Sequence, residues 1–290
     1  MNRLSHKDFW DGLYVPAVEA GHAPTAGRLR HLLGTTPQLG NYCRNLLWRD
    51  LYPRYLPRRA GAKILEVGSA PGVHLAAVAK AFGYEPFGVE YTPSGVEANR
   101  RAFAEAGFDP ANVTCADFFS EAYLDDHRGR YDVVLSRGFI EHFSDPADVV
   151  KRHVDLLAPG GRLFLHIPNL SGVNYALMRL LDRPALDIHN LQIMHPRRFE
   201  ALFDSLGLDR VHCGPAGTMN LALPAMARSG WLRKLNPLRA AATAGANLLA
   251  HLLLQGRSVE CRYTSPMWLY VGDRPAEAPS AVTPAARVAA

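Results

Sequence analysis

From residue 63 onward, the sequence alternates short apolar runs with segments of helical periodicity. Seven apolar runs have the length and composition of buried β-strands: Lys63–Val67, Pro86–Val89, Asn112–Cys115, Tyr131–Ser136, Arg162–Ile167, Leu208–Cys213 and Met267–Gly272. Helical patterns between these runs cover Val73–Phe82, Gly95–Ala106, Pro146–Leu157 and Pro196–Ser205. Strands that alternate with helices at this spacing usually pair in parallel and are covered by helices on both faces. The sequence therefore predicts an α/β fold built on a mostly parallel sheet.

Three regions lie outside this alternation. Residues 1–57 read as helical and rich in aromatic side chains, so we expect an N-terminal helical cap in front of a domain that spans 58–273. Residues 214–257 separate the last two strands as a helical insertion, and their apolar helix, Ala240–Leu254, could pack on the core, form a dimer face or lie on a membrane surface. Residues 274–290 are rich in proline and alanine, and we expect them to be disordered.

The charge distribution and the cysteine content of the sequence argue against several classes of binding partner and site. The chain has 32 lysines and arginines against 27 acidic residues, and its net charge of +5 is spread without basic runs. A nucleic-acid-binding arm would concentrate its charge, so this pattern argues against nucleic acid. The four cysteines form no C-x-x-C pair, which argues against a zinc site or a disulfide framework. The sequence has no apolar run long enough to span a membrane and no signal peptide, so we expect a cytoplasmic protein.

A glycine-rich segment follows the first predicted strand and opens the next helix. It reads Glu66-Val67-Gly68-Ser69-Ala70-Pro71-Gly72. Open α/β sheets bind nucleotide-like ligands at this place, where Gly68 lets the turn tighten and Gly72 lets the backbone approach a ligand. The segment lacks two of the three glycines of the nicotinamide-dinucleotide fingerprint, and the Glu66 carboxylate is a poor neighbour for a pyrophosphate. The segment therefore favours a cationic ligand.

Two further acidic residues follow the next two strands. Glu90 ends the second strand, 22 residues after Gly68, where a carboxylate can accept hydrogen bonds from ribose hydroxyls. Asp117 follows the third strand and offers a hydrogen-bond acceptor to a purine, beside the apolar rings of Phe118 and Phe119. Acids after three consecutive strands predict one nucleotide-like binding site at the carboxyl edge of the sheet.

These motifs, in this order, resemble those of the class I S-adenosylmethionine-dependent methyltransferases, from about Lys63 to Gly272. Glu66–Gly72 is similar to the glycine-rich first motif of that family, with Ala70 in place of its middle glycine. Tyr131–Ser136 resembles the fourth-strand motif, and Leu156–Leu163 resembles the turn before the fifth strand. The resemblance implies a Rossmann-like sheet of seven strands, mostly parallel with an antiparallel last strand, and S-adenosyl-L-methionine as the cofactor.

The resemblance also implies roles for individual residues. In the family the acid at the Glu90 position holds the ribose, and the pair at Asp117 and Phe118 contacts the adenine. The cofactor-binding residues that it implies are Glu66, Gly68, Ser69, Ala70, Gly72, Glu90, Tyr91, Asp117, Phe118, Ser136 and Arg137. After the fourth strand, the Ile-Glu-His segment at 140–142 looks like the corresponding stretch of quinone-type and small-molecule O-methyltransferases.

Transfer to a hydroxyl group also requires removal of the hydroxyl proton, for which histidine is the usual general base. The predicted catalytic residues are Glu141 and His142, in the Ile-Glu-His segment, and His189, in a segment that resembles the family's substrate-facing region. Alternatively, Glu141 and His142 only brace the cofactor loop. Some relatives with a Glu-x-x-Glu-His stretch bind a divalent metal there, but Gly138 stands at the first acid's position here, so we expect no metal.

The sequence therefore predicts a methyltransferase that uses S-adenosyl-L-methionine to methylate a hydroxyl of a small molecule, a sugar or a lipid-linked glycan. Peripheral contact with the inner membrane surface, or a homodimer, would be formed through residues 231–256. Two alternatives stay open: a methyltransferase acting on RNA ribose, suggested by the basic charge, and a catalytically silent, cofactor-binding or membrane-associated scaffold.

Overall fold

The computed structural model describes residues 3–5, 7–8, 10, 41–181, 183–218 and 236–276. Its strands are β1 (Lys63–Val67), β2 (Glu85–Glu90), β3 (Val113–Cys115), β4 (Tyr131–Arg137), β5 (Leu157–Pro168), β6 (Asp209–Ala216) and β7 (Met267–Asp273). They form one seven-stranded sheet in the order β3-β2-β1-β4-β5-β7-β6. The pairs that β7 makes with β5 and β6 are antiparallel and the other pairs among these strands are parallel, which confirms a mostly parallel sheet with an antiparallel last strand.

Ten α-helices have both ends within the described residues. They are α1 (Tyr42–Leu46), α2 (Tyr52–Tyr55), α3 (Val73–Phe82), α4 (Pro93–Ala106), α5 (Glu121–His127), α6 (Pro146–Asp155), α7 (Gly172–Leu181), α8 (Arg183–Asp187), α9 (Pro196–Ala201) and α10 (Asn236–Leu254). A π-helical turn, Leu47–Leu51, joins α1 to α2, and Ile140–His142 and Leu191–Met194 form 3₁₀ turns.

The sheet is buried on both faces because its strands are apolar at consecutive positions. Leu65 and Val134 belong to the core on the face that α6 and α9 cover. Ile64 and Val133, one residue earlier in each strand, belong to the core on the face that α3 covers. Consecutive side chains of a strand point to opposite faces, so runs without polar alternation require helices on both sides.

The segment before β5 differs from the sequence prediction. We expected a helix as far as Leu157 and a turn before a strand at Arg162, but α6 ends at Asp155 and β5 already begins at Leu157. Leu157 pairs with Tyr131 at the start of β4, ahead of a register shift that precedes Val133. Between Leu157 and Arg162 the partner strand advances only from Tyr131 to Val133, so residues 158–161 bulge out of the pairing with β4, and Gly160 has φ +74°. The predicted Ala-Pro-Gly-Gly turn is therefore present as a bulge near the start of β5.

The predicted N-terminal cap and insertion are described in part. Residues 41–55 are helical and pack on the sheet, with the Tyr52 ring fully buried against Phe164. Residues 11–40, 219–235 and 277–290, which include the rest of the cap, part of the insertion and most of the predicted disordered tail, lie outside the described residues. The predicted domain boundaries stay a prediction.

Helix α10, in the insertion, packs against α1 through one face. The Asn247 side chain accepts a hydrogen bond from the Tyr42 backbone N–H at 2.6 Å, and the Tyr42 hydroxyl donates to the Arg257 carbonyl. Leu252 and Leu253 lie on the other face and are more than half exposed. No helix in the described part of the chain is long and apolar enough to span a bilayer.

Candidate active site

A cavity of about 790 Å³ opens at the carboxyl edge of the sheet. Strand order reverses between β1 and β4 at this edge, so the loops that follow these two strands diverge to opposite faces. Open α/β sheets bind ligands in the crevice that this divergence creates. The cavity lining includes Glu66, Glu90, Asp117, Glu141 and His189, so the fold brings the predicted cofactor and catalytic residues to one space.

The turn between β1 and α3 has two glycines with positive φ, and their structural roles differ. Gly68 (φ +68°) lines the cavity and packs under the Phe139 ring. Gly72 (φ +83°) lies outside the cavity lining, and a Cβ there would overlap the side chain and backbone of Asn99 in α4. We expected Gly72 to let the backbone approach a ligand; instead it permits close packing of the turn on α4.

Replacing Gly68 by alanine should lower the free energy of unfolding by about 2–4 kcal/mol. The φ of +68° strains an L-residue by about 1–2 kcal/mol, and the new Cβ would lie 2.7 Å from Cδ2 of Phe139. Gly107→Ala is the matched control, because Gly107 has φ +85° but no atom near a Cβ. Urea unfolding should show the smaller loss for Gly107→Ala; equal losses would contradict the packing role of Gly68.

Glu66 has a buried carboxylate in which one oxygen accepts a hydrogen bond and the other has no partner among the described residues. Its side chain is 2% exposed, and Nε of Arg137 donates to Oε1 at 2.7 Å. Burial raises the pKa of Glu66, and the Arg137 charge partly offsets this increase. Oε2 is buried without a hydrogen-bond partner among the described residues, beside the cavity. An ammonium group in the cavity would satisfy it.

Glu90 ends β2 and is held by the turn that follows it. Its Oε1 accepts hydrogen bonds from the backbone N–H groups of Tyr91 and Thr92 and from the Thr92 hydroxyl, at 2.8–3.0 Å. All three donors bind the same oxygen, which fixes the carboxylate in the cavity wall and leaves Oε2 for a ligand. Two vicinal hydroxyl groups are a suitable match for such a carboxylate.

Asp117 lies at the other end of the cavity and has a partner that sequence analysis missed. Arg3 donates to Asp117 Oδ1 at 2.8 Å, and its guanidinium lies 4.6 Å from the centre of the Tyr91 ring. The Leu4 backbone N–H also donates to the His142 carbonyl, so this N-terminal segment lies across the cavity. No local sequence signal could predict a contact between residues 114 positions apart.

The remaining predicted cofactor residues divide into those that line the cavity and those that do not. Ala70, Tyr91, Phe118 and Arg137 line it. Ser69 is buried behind the turn, where its hydroxyl accepts a hydrogen bond from Asn99, and Ser136 is buried in β4 outside the lining. Besides Arg3, the lining includes Trp10, Arg44, His166 and Met267, which sequence analysis did not single out.

The predicted catalytic residues Glu141, His142 and His189 form a cluster on the wall of the cavity. One potential ligand atom from each lies within 4.8 Å of the others. Nδ1 of His142 is 2.8 Å from the Ile188 carbonyl, so Nδ1 carries the proton and Nε2 has a free lone pair. Burial raises the pKa of Glu141 to about 8 and lowers that of His142 to about 4.

Comparisons with known proteins identify relatives of this fold and sequence. A family model described as a methyltransferase domain matches residues 42–213. Ubiquinone biosynthesis O-methyltransferases from Shewanella halifaxensis and Thiobacillus denitrificans are 27% and 31% identical over 129 and 118 residues, each match covering 41% of this chain. The matches cover 53% and 49% of those relatives, so the chain spans about half the length of the curated relatives it matches.

Solved structures share the fold at low sequence identity. A chain of the complex between the Haloferax volcanii Trm112 methyltransferase activator and a methyltransferase has a TM-score of 0.54 at 17% identity, with 93% of this chain and 100% of that chain covered. The Haemonchus contortus phosphoethanolamine N-methyltransferase 2 in complex with S-adenosyl-L-methionine has a TM-score of 0.50 at 16% identity, covering 88% and 61%. These similarities support the predicted seven-stranded, Rossmann-like fold.

Proposed function

Because this chain belongs to the methyltransferase-domain family of class I S-adenosylmethionine-dependent enzymes, we propose that it methylates a hydroxyl group of a small-molecule acceptor. Its cofactor is S-adenosyl-L-methionine, which when bound supplies a methyl group activated by a positively charged sulfur. The acceptor class follows the O-methyltransferases among its relatives.

The observation that carries the proposal is one cavity with a carboxylate at the carboxyl end of each of three adjacent strands. Glu66 lies one residue before the end of β1, Glu90 ends β2 and Asp117 follows β3, and all three line the same space. The unpartnered Oε2 of Glu66 fits the cofactor's ammonium group. Glu90 fits the ribose hydroxyls, and Asp117 with Phe118 fits the adenine.

The second half of the proposal concerns the acceptor. Glu141, His142 and His189 form a polar cluster on the same cavity wall, beside the rings of Phe139 and Phe143. The cluster would accept the proton of an acceptor hydroxyl placed there. The bound cofactor would supply the methyl group and keep the electron pair of the broken sulfur–carbon bond on its sulfur. His142 is suited to this step because its Nδ1–H is fixed on the Ile188 carbonyl and Nε2 can accept a proton. Nearby Glu141, 4.0 Å from Nε2, would stabilise the resulting imidazolium.

Calorimetry and a labelling assay test the proposal in two steps. The chain should bind S-adenosylhomocysteine and bind NAD⁺ much more weakly, because the carboxylate near the first glycine disfavours a pyrophosphate. With labelled S-adenosyl-L-methionine, label should then appear on a phenolic or other hydroxylated small molecule of a bacterial extract. Binding of NAD⁺ without S-adenosylhomocysteine would overturn the cofactor assignment. Label confined to RNA, or cofactor binding without turnover, would instead select one of the two alternative functions.

The cellular location of the chain and its association with a membrane or a second copy are also proposals. We expect a cytoplasmic chain whose segment 231–256 provides peripheral contact with the inner membrane surface or a homodimer interface. The exposed leucines of α10, among them Leu249, Leu252 and Leu253, support an apolar contact on this side. Such a contact would suit an acceptor that is apolar, including a lipid-linked glycan.

A further inference from the structure

The described residues between Arg3 and Trp10, here called the strap, lie across the cavity. The side chains of Arg3, Ser5 and Trp10 line it, together with the residues at the carboxyl edge of the sheet. The family model matches residues 42–213, so the strap reaches the cavity from outside the part of the chain that the family shares. The role of the strap therefore has to follow from its own contacts.

The backbone of the strap is bonded to the turn that carries the proposed general base. Arg3 forms an isolated antiparallel bridge with Phe143, and the Leu4 N–H donates to the His142 carbonyl at 2.8 Å. His142 ends the 3₁₀ turn after β4, and Phe143 follows it directly. A backbone contact of this kind does not depend on the His142 side chain, so it fixes the strap relative to the turn itself.

Arg3 attaches the strap to the end of the cavity that is predicted to bind adenine. Its guanidinium donates to Asp117 Oδ1 at 2.8 Å and lies 4.6 Å from the centre of the Tyr91 ring and 5.3 Å from that of Phe119. The Phe119 backbone N–H donates to the same oxygen at 3.1 Å, which leaves Oδ2 for a ligand. Arg3 therefore closes this end of the cavity without using the second acceptor oxygen of Asp117.

Trp10 attaches the strap to the catalytic end of the cavity. Its ring contacts the His142 ring edge to face, with the ring centres 5.0 Å apart and the planes at 77°. Its Nε1–H donates to the hydroxyl of the buried Ser5 at 2.9 Å, which fixes the indole. The His189 ring, 4.7 Å away, also packs on His142, so the imidazole is enclosed by both rings and is 7% exposed.

We infer that closure of the strap completes the active site: Arg3 holds the strap at the adenine end, and Trp10 is the positioning residue that holds and covers His142. Because the strap crosses the cavity, it has to lift for a cofactor to enter or leave. Its closure excludes water from the surroundings of the proposed general base. The consequence for catalysis rests on the proposed function, whereas the cover over His142 does not.

The rate at which S-adenosylhomocysteine leaves tests the contact at the adenine end. Arg3→Gln should increase the dissociation rate constant by about three- to tenfold, because a partly exposed ion pair and a cation–π contact each contribute modestly. Arg54→Gln is the matched control: Arg54 pairs with Asp50 and lies 5.8 Å from the centre of the Tyr55 ring, but it is outside the cavity lining. Rapid filtration with labelled S-adenosylhomocysteine would measure both rate constants.

An NMR titration of His142 in the cofactor-free chain tests the cover at the catalytic end. Burial lowers the pKa of His142 to about 4, and the titratable groups that face it, Glu141 at 4.0 Å and His189, stay in place when Trp10 is replaced. Trp10→Ala should admit water and raise this pKa toward its ordinary value of 6.5, whereas Trp10→Phe, which retains a ring, should preserve most of the decrease. Only neutral His142 accepts a proton, so in Trp10→Ala the acidic limb of the pH–rate profile should move to higher pH.

Arg3 is exposed and Trp10 is partly exposed, so thermal unfolding should show that both variants are folded. A His142 titration that Trp10→Ala leaves unchanged, or equal dissociation rates for Arg3→Gln and the unchanged chain, would overturn the inference. A shifted His142 titration in a chain that does not bind S-adenosylhomocysteine would disprove the proposed function and leave the cover over His142 standing. Methyl transfer by a chain in which neither replacement has its expected effect would do the reverse.

Discussion

Replacing His142 by alanine should lower the rate of methyl transfer by about 10²–10⁴-fold, the usual contribution of a positioned acid–base group. Nδ1 of His142 donates a hydrogen bond to the Ile188 carbonyl. This bond fixes the orientation of the ring and leaves Nε2 with a lone pair that can accept a proton. The loss is expected because Nε2 is the atom placed to accept the hydroxyl proton. Single-turnover kinetics with labelled cofactor would measure it.

The affinity for S-adenosylhomocysteine should stay within about twofold in the same variant. Glu66, Glu90 and Asp117, the predicted cofactor contacts, are not held by the His142 side chain in any hydrogen bond of the described residues. His195→Ala, which removes an exposed histidine outside the cavity lining, serves as the control. A His142→Ala enzyme that retains full transfer activity would show that the Glu141–His142 pair only braces the cofactor loop.

Replacing Glu90 by glutamine should weaken S-adenosylhomocysteine binding by about 100-fold. Glutamine preserves one oxygen for the backbone N–H groups of Tyr91 and Thr92 but replaces the other oxygen with an amide that cannot accept a hydrogen bond from a hydroxyl. Loss of a hydrogen bond to a charged acceptor costs up to about 3 kcal/mol, and every 1.4 kcal/mol is about tenfold in affinity. Isothermal titration calorimetry would measure this change directly.

Glu85→Gln is the matched control for Glu90→Gln. Glu85 begins the same strand, is exposed and lies outside the cavity, so its replacement removes the same charge without touching the site. The two variants should therefore differ in affinity and not in fold. Equal affinities for Glu90→Gln and the unchanged chain would remove Glu90 from the cofactor site.

Local pattern was sufficient to predict the positions of most strands and the first motif. β1 and α3 have the predicted bounds, and β2, β3, β4 and β7 differ by one residue at one or both ends. The prediction missed α5, a seven-residue helix with three acidic side chains, because its apolar pattern is too short to show helical periodicity. It also missed α7 and α8, which follow β5 in a region for which no helix was predicted.

The sequence by itself determined the sheet and the carboxylates at its edge. Apolar runs without polar alternation must be buried on both faces, and a residue that ends a parallel strand lies at the carboxyl edge in any such sheet. Glu66 and Glu90 were therefore predictable, because strand ends position them and no distant contact is needed.

Only the tertiary structure decided which side chains complete the site. Arg3 reaches Asp117, and His189 reaches Glu141 and His142, through chain segments whose relative position no local propensity specifies. The tertiary structure also shows that Gly72 lets the turn pack against Asn99 of α4. A glycine with positive φ allows the close approach of either a ligand or a neighbouring helix, so the sequence does not distinguish the two roles. Contacts between distant residues depend on how whole helices and strands pack. This packing is determined by the core of the folded chain and not by local sequence.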